Sequence, residues 1–141
     1  MRIVIIGLPG SGKTTLARKL AEGIRAVHLN ADDIRTHVHK DLGFSKEDRI
    51  HQARSMAFLI NTIHSPDRDV VCDFVCPIPE TRAIISEACD FLIFMNTIDK
   101  GRFEDTNRMF VDPEDADLVI MDWEDATVQT VVAACLHRYS V

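Results

Sequence analysis

The residues with the clearest chemical meaning lie near the start of the chain, in the stretch GLPGSGKTT at 7–15. The pattern G-x-x-x-x-G-K-[ST] is matched at the correct spacing by Gly7, Gly12, Lys13 and Thr14. Glycines in such a loop let backbone N–H groups turn towards phosphate oxygens, and the start of the following helix adds partial positive charge. The stretch, called here the phosphate loop, therefore predicts a site for a nucleoside triphosphate.

The side chains of the phosphate loop have separate expected tasks. Lys13 is expected to reach the β- and γ-phosphates and so to take part in catalysis, and the Thr14 hydroxyl is expected to enter the shell of a Mg²⁺ ion. A turn that only joined a strand to a helix would need neither side chain. We therefore predict ATP and Mg²⁺ as cofactors and assign the nucleotide contacts to Gly7, Pro9, Gly10, Ser11, Gly12, Lys13, Thr14 and Thr15.

A second polar stretch, LNADDIR at 29–35, places the Asp32 carboxylate and the Arg35 guanidinium one helical turn apart. The Asp32 carboxylate could take a proton from a substrate hydroxyl, while the Arg35 guanidinium steadies charge on a phosphate. The alternative is a helix cap with an ordinary surface ion pair. Together with the phosphate loop, Asp32 and Arg35 favour transfer of a phosphoryl group to an alcohol.

These stretches must be held by a regular scaffold. Apolar runs predict strands at 2–6, 26–29, 69–74, 90–95 and 117–121, and helical spacing predicts helices at 13–23, 30–38, 46–63, 78–88 and 124–138. The segment 96–116 is expected to be irregular. Alternating strands and helices predict one α/β domain over 1–141, with the three-layer α/β/α architecture of P-loop NTPases and a five-stranded parallel sheet. Ligands of such folds bind at the carboxyl ends of the strands.

Composition limits the possible partners. The chain has 141 residues, a net charge of −6 and 46% apolar residues, as expected for a globular protein. The acidic balance disfavours nucleic acid, without excluding a local basic patch. The start MRIVIIG is too short for a signal peptide and no apolar run is long enough to cross a membrane, so we expect a cytoplasmic protein. A homodimer is left open, and Trp123 is expected to have a packing role.

Four stretches resemble adenylylsulfate (APS) kinase, which phosphorylates the 3′-hydroxyl of adenosine 5′-phosphosulfate. They are GLPGSGKTTLA, LNADDIR, DLGFSKEDR and FVCPIPETR, between residue 7 and about residue 82. The resemblance implies that Asp32 is the general base and that Arg35 binds substrate. It further implies substrate contacts by Phe44, which would stack on adenine, by Arg49, which would hold the phosphosulfate end, and by Gln52, Val75, Cys76 and a second stacking ring, Phe103. The alternative for both rings is ordinary packing.

The chain also departs from the pattern of that family. Gln52 replaces an asparagine and Cys76 a serine, and the segment 96–116 is too short for the family's full lid. Lids exclude water and supply cations to the transferring phosphate. Arg102 and Arg108 are the nearest candidates for that cation, the alternative being solvated surface charge.

A weaker resemblance points to polynucleotide 5′-hydroxyl kinases. NADDIR is similar to their N-x-D-D-x-R stretch, and Asp73 and Arg82 match a strand-end acid and an arginine early in the next helix. Asp73 could contact Arg35, join the metal shell, or bind turn amides. Two alternatives to an APS-kinase-like enzyme therefore stay open. One is a kinase of nucleic-acid hydroxyls (a 5′ end or a hydroxymethylated base), and the other is a non-catalytic ATP-binding module.

Overall fold

The computed structural model describes residues 1–139, in which strands and helices alternate along most of the chain. In chain order the elements are β1 (Arg2–Gly7), α1 (Lys13–Ile24), β2 (Val27–Asn30), α2 (Ala31–His37), α3 (Lys46–Ile63), β3 (Val70–Phe74), α4 (Pro79–Ser86), β4 (Phe91–Met95), α5 (Glu104–Met109), β5 (Leu118–Ile120) and α6 (Val128–Tyr139). Within the described residues, no helix combines the length and apolar character needed to cross a membrane.

The five strands form one parallel sheet in the order β2-β3-β1-β4-β5. Because successive side chains of a strand point to opposite faces, β1 contributes to two cores. Val4 and Ile6 pack with residues of α3 and α4 on one face, and Ile3 and Ile5 pack with residues of α1 and α6 on the other. Helices thus cover both faces of the sheet, which confirms the predicted α/β class.

Two elements differ from the sequence prediction. The segment 96–116, expected to be irregular, contains α5, a short polar helix whose single buried residue is Thr106. Its sequence EDTNRM has no apolar periodicity, so no helical pattern could be seen. The closing helix was predicted from 124 but begins at Val128, because Asp122 caps a separate 3₁₀ turn at Trp123–Asp125 and Thr127 accepts a hydrogen bond from the backbone N–H of Thr130.

The order of the strands decides where the site can form. β1 lies at the centre of the sheet, with β3 on one side and β4 on the other. The loops that leave the carboxyl ends of β1, β2 and β3 therefore open at the same edge. At this edge Asn30, the last residue of β2, lies in register with Asp73, the penultimate residue of β3.

Candidate active site

A cavity of about 380 Å³ opens at the carboxyl edge of the sheet. All of the site residues predicted from the sequence line it except Gly7 and Ser11. Gly7 ends β1 and packs against Met95, and Ser11 is buried inside the phosphate loop. Further lining residues, not predicted as site residues, are Asn30, Ala31, Asp73, Phe74, Pro77, Thr81, Arg102 and Thr106.

The phosphate loop connects β1 to α1 by a tight turn. Gly10 and Gly12 have φ values of 90° and 97°, a left-handed conformation that glycine adopts without steric cost. Gly12 precedes the first turn of α1 and accepts a hydrogen bond from the N–H of Leu16. The loop therefore presents the amino end of α1 towards the cavity, an arrangement that suits anionic oxygens.

Lys13 is the buried cation of this loop. Its side chain is almost entirely covered, and Nζ donates a hydrogen bond to the Leu8 carbonyl at 2.8 Å. Burial lowers the pKa of Lys13 from 10.5 to about 8, although the charges of Asp73 and Asp32 oppose the change. Because the nearby carboxylates do not fully offset the cost of burying the Lys13 ammonium group, this group is suited to bind an anionic ligand.

Asp73 organises a network at the ends of β2 and β3. Its side chain is only 1% exposed, and Oδ2 accepts hydrogen bonds from Thr14 Oγ1 at 2.7 Å and Asn30 Nδ2 at 3.0 Å. Asn30 Nδ2 also donates to Thr14 Oγ1 at 3.2 Å, and His28 Nε2 lies 2.6 Å from Asp73 Oδ1. Of the three roles considered for Asp73 from the sequence, this network fits a place in the metal shell, because Asp73 contacts the predicted metal ligand Thr14.

The network includes two residues that sequence reasoning missed as site residues. Asn30 lies at the start of the predicted helix 30–38, and its side-chain oxygen caps α2 by accepting a hydrogen bond from the Asp33 N–H. Its place at the end of a strand was a usable signal, since strand ends carry ligand-binding residues in this architecture. His28, inside β2, gave no such signal.

Oxygen atoms at this point suit a hard divalent cation. Mg²⁺ usually keeps several waters and takes one or two protein oxygens together with substrate phosphates. Thr14 Oγ1 and the Asp73 carboxylate are adjacent oxygen donors of that kind. Among residues 1–139 there is no group of three or more His, Cys, Asp or Glu side chains that could hold a metal ion.

Another part of the cavity combines a carboxylate with an aromatic ring and two arginines that lie against it. Asp32 lies on the first turn of α2 with an exposed carboxylate, and Arg35 donates to the Gly43 carbonyl at 2.7 Å. The Arg35 guanidinium lies 4.4 Å from the centre of the Phe44 ring and that of Arg49 lies 5.5 Å from it. These distances are within the range of cation–π attraction.

Arg49 is buried and joins three parts of the site. It donates to the Phe44 carbonyl at 3.1 Å and to Thr106 Oγ1 of α5 at 3.1 Å. Burial lowers the pKa of Arg49, and the neighbouring Arg35 charge lowers it further. Two such guanidinium groups side by side favour an anionic ligand between them.

The two predicted stacking rings are exposed rather than packed in a core. Phe44 is 65% and Phe103 59% exposed, and both line the cavity. Gln52, by contrast, is buried; its Nε2 donates to the Ala31 carbonyl at 3.0 Å, while its Oε1 has no hydrogen-bond partner among the described residues. The site thus offers open aromatic faces and an unsatisfied buried acceptor.

Val75 and Cys76 follow β3 and line the floor of the cavity. Cys76 has a left-handed backbone (φ 47°) and its thiol contacts Thr81 Oγ1 at 3.4 Å. Burial raises the pKa of Cys76 to about 12, so the thiol stays protonated near neutral pH. Cys76 therefore shapes the wall and has no nucleophilic character there.

Trp123 holds the outside of the phosphate loop. Its Nε1 donates to the Ser11 carbonyl at 2.8 Å, and Thr97 Oγ1 donates to the same oxygen at 2.6 Å. The predicted packing role of Trp123 was therefore incomplete, because the ring is 59% exposed and its contact with the loop is polar. Residues 97 and 123 are too distant from the loop in sequence for any motif to connect them.

Comparison with known proteins agrees with this geometry. The family model described as adenylylsulphate kinase matches residues 1–120. The adenylyl-sulfate kinase of Chloroflexus aurantiacus is 40% identical over 87 residues, which are 58% of this chain and 47% of that protein. The probable adenylyl-sulfate kinase of Aeropyrum pernix is 36% identical over 86 residues, 57% of this chain and 47% of that protein. The chain thus spans about half the length of these curated relatives.

A solved structure shares the fold over nearly the whole chain. The Mycobacterium tuberculosis APS kinase in complex with AMPPNP and APS superposes with a TM-score of 0.78 at 21% identity, covering 95% of this chain and 96% of that one. This likeness supports the architecture alone. Because the family model covers most of the sequence and agrees with the motifs at 7–15, 29–35 and 41–49, the chain belongs to the adenylylsulphate kinase family.

Proposed function

We propose that the chain is an ATP-dependent kinase that transfers the γ-phosphoryl group of ATP to a hydroxyl of a nucleotide-like acceptor, with adenosine 5′-phosphosulfate as the preferred candidate. One observation carries the proposal: a single cavity is lined by the phosphate loop and also by Asp32, the arginine pair and two exposed aromatic rings. Donor and acceptor sites are thereby adjacent, as phosphoryl transfer requires.

In this reaction Asp32 takes the proton of the acceptor hydroxyl. The hydroxyl oxygen forms a bond to the γ-phosphorus, the bond from that phosphorus to the β,γ-bridging oxygen breaks, and ADP leaves. Lys13 and the loop N–H groups hold the phosphates in line with the acceptor. The Asp32 side chain is exposed and lines the cavity, so it is accessible to an acceptor hydroxyl, as a general base must be.

Thr14 and Asp73 are the residues that would hold Mg²⁺. When bound, Mg²⁺ would neutralise charge on the β- and γ-phosphates. Asp73 fixes the Thr14 hydroxyl through the 2.7 Å hydrogen bond, and Asn30 holds both groups from the end of β2. Such outer partners commonly orient the groups that bind a metal.

The acceptor site has the chemistry of a nucleotide with an anionic end. Phe44 and Phe103 provide faces on which a base could stack, a contact worth about 1–3 kcal/mol per base. Arg35 and Arg49 provide positive charge beside that ring for a phosphosulfate group. Gln52 also lines the cavity, and its hydrogen bond to the Ala31 carbonyl fixes its side chain there.

Transfer of labelled phosphate from ATP tests the proposal. The acceptor panel contains APS, nucleosides, nucleotides, and DNA with 5′-hydroxyl ends or hydroxymethylated bases. We expect Asp32→Asn to keep ATP affinity while turnover falls about 10²–10⁴-fold, the usual contribution of a general base. Asp33→Asn is the matched control, because Asp33 is also exposed on the first turn of α2 but does not line the cavity. Equal turnover in wild type and Asp32→Asn would refute the assigned role.

The same panel separates the alternatives. Label found only on DNA would indicate a nucleic-acid kinase, and label found only in inorganic phosphate, or not transferred, would indicate an ATP-binding module. The family match favours a nucleotide acceptor over both. A homodimer and a cytoplasmic location stay predictions, which light scattering and cell fractionation would test.

A further inference from the structure

We propose that Arg102 supplies the cation that contacts the γ-phosphoryl group of ATP during transfer, and that the packed segment made of α5 and the loop before it holds Arg102 over the phosphate loop. The proposal deepens the proposed kinase function and rests on it. It assigns a role to the segment 96–116, where the sequence is too short for a full lid.

The position of Arg102 relative to the phosphate loop is the first argument. Arg102 lines the same cavity as Lys13 and Asp32. Its Nε lies 3.9 Å from the point that a Cβ on Gly10 would occupy, so the guanidinium lies over the middle of the phosphate loop. The charge of Arg102 also contributes to lowering the pKa of Lys13, after the larger effect of burial. The side chains of Lys13 and Arg102 therefore line the same cavity.

The backbone that carries Arg102 is fixed by three independent contacts. A Cβ on Gly101 would lie 2.9 Å from the Pro9 carbonyl oxygen, so this residue packs directly on the phosphate loop. The Asn107 side chain accepts from the Gly101 N–H at 2.8 Å and donates to its carbonyl at 3.1 Å. Thr106 is held by buried Arg49. An exposed arginine is thereby positioned by a packed segment.

Arg102 and Arg108 differ in the way that the proposal requires. Arg102 has no hydrogen bond or ion pair within residues 1–139, although it lies in a cavity lined by charged groups. Arg108, which lies on α5 itself, has a side chain that is 72% exposed, and its Nε lies 3.7 Å from Glu104 Oε1. Of the two arginines considered from the sequence, only Arg102 faces the cavity, and Arg108 belongs to the solvated surface.

The chemistry gives Arg102 a specific task. As the bond from the hydroxyl oxygen forms and the bond to the bridging oxygen breaks, negative charge is shared among the γ-phosphoryl oxygens and the leaving ADP. Lys13 approaches these oxygens from the base of the loop, and a guanidinium above Gly10 can donate to them from the outer side. A cation in this position favours ATP over ADP and favours the transition state over both.

The test compares nucleotide affinity and turnover in Arg102→Ala, Arg102→Lys and the matched control Arg108→Ala. By isothermal titration with Mg²⁺, we expect Arg102→Ala to lose about tenfold in ATP affinity while ADP affinity is unchanged. Turnover should fall about 10²–10³-fold, in the range of removing one donor to a transition-state oxygen. Arg102→Lys should recover part of both losses, and Arg108→Ala should lie within twofold of wild type.

Two results would overturn the proposal. One is an Arg102→Ala variant whose ratio of ATP to ADP affinity equals that of the wild type. The other is a loss of equal size in Arg108→Ala, since this would show a general effect of surface charge. The affinity ratio is measured without any acceptor, so it decides the role of Arg102 even if the wild type fails to phosphorylate every acceptor in the panel.

Discussion

Lys13 links ATP binding to pH in a way that can be measured directly. In the free protein its pKa lies at about 8, because burial penalises the ammonium form more than Asp73 and Asp32 favour it. The difference from the ordinary value of 10.5 corresponds to about 3 kcal/mol against the charged form. ATP phosphates beside Nζ would restore this loss and raise the pKa again. Binding above pH 8 should therefore take up a proton.

The size of the uptake follows from the pKa. At pH 7 about nine-tenths of Lys13 already carries its proton, whereas at pH 9 about nine-tenths has lost it. Isothermal titration of ATP in two buffers of different ionisation enthalpy should give about 0.1 proton taken up at pH 7 and about 0.9 at pH 9. The apparent affinity should fall about tenfold per pH unit above pH 8.

Two lysine substitutions provide the controls for this measurement. Lys13→Arg keeps its charge at pH 9 and should bind ATP without proton uptake, while Lys19→Arg, exposed on the same helix, should behave as the wild type. Equal binding enthalpies in both buffers at pH 9 for the wild type would refute the reasoning.

The stability of the free protein provides a second check. The unfolded chain binds more protons than the folded one between pH 8 and 10.5, so the Lys13 contribution should rise with pH across that window and be constant below it.

Two further outcomes are expected at the other parts of the site. Phe44→Ala should weaken acceptor binding about 5–100-fold while leaving ATP affinity within twofold, because the ring lies against the Arg35 and Arg49 guanidinium groups of the proposed acceptor site; unchanged acceptor affinity measured by titration would reject stacking. Asp73→Asn should raise the Mg²⁺ concentration for half-maximal turnover about 10–100-fold, because Thr14 loses its carboxylate partner; an unaltered Mg²⁺ dependence would remove Asp73 from the metal site.

The amino-acid sequence determined those parts of the molecule whose physics is local. The phosphate loop is contiguous, and its glycine positions and following helix follow from residues 7–24 alone. Asp32 and Arg35 are one helical turn apart, so the period of a helix is enough to predict that their side chains lie on the same face. Short apolar runs also placed all five strands to within two residues at their ends.

Tertiary structure decided the contacts between distant segments. Thr14, Asn30 and Asp73 meet because β3 lies between β1 and β2, and alternation of strands and helices does not specify that order. Trp123 follows β5, which β4 separates from β1 in the sheet. Its contact with the phosphate loop therefore depends on how the segments after β5 and β1 pack together. Arg102 and Arg108 are equivalent as sequence but separate in space, since Gly101 packs on Pro9 while Arg108 lies in solvent. Periodicity reports which face of an element is buried, whereas the choice of neighbours depends on packing of the whole sheet, which no single segment encodes.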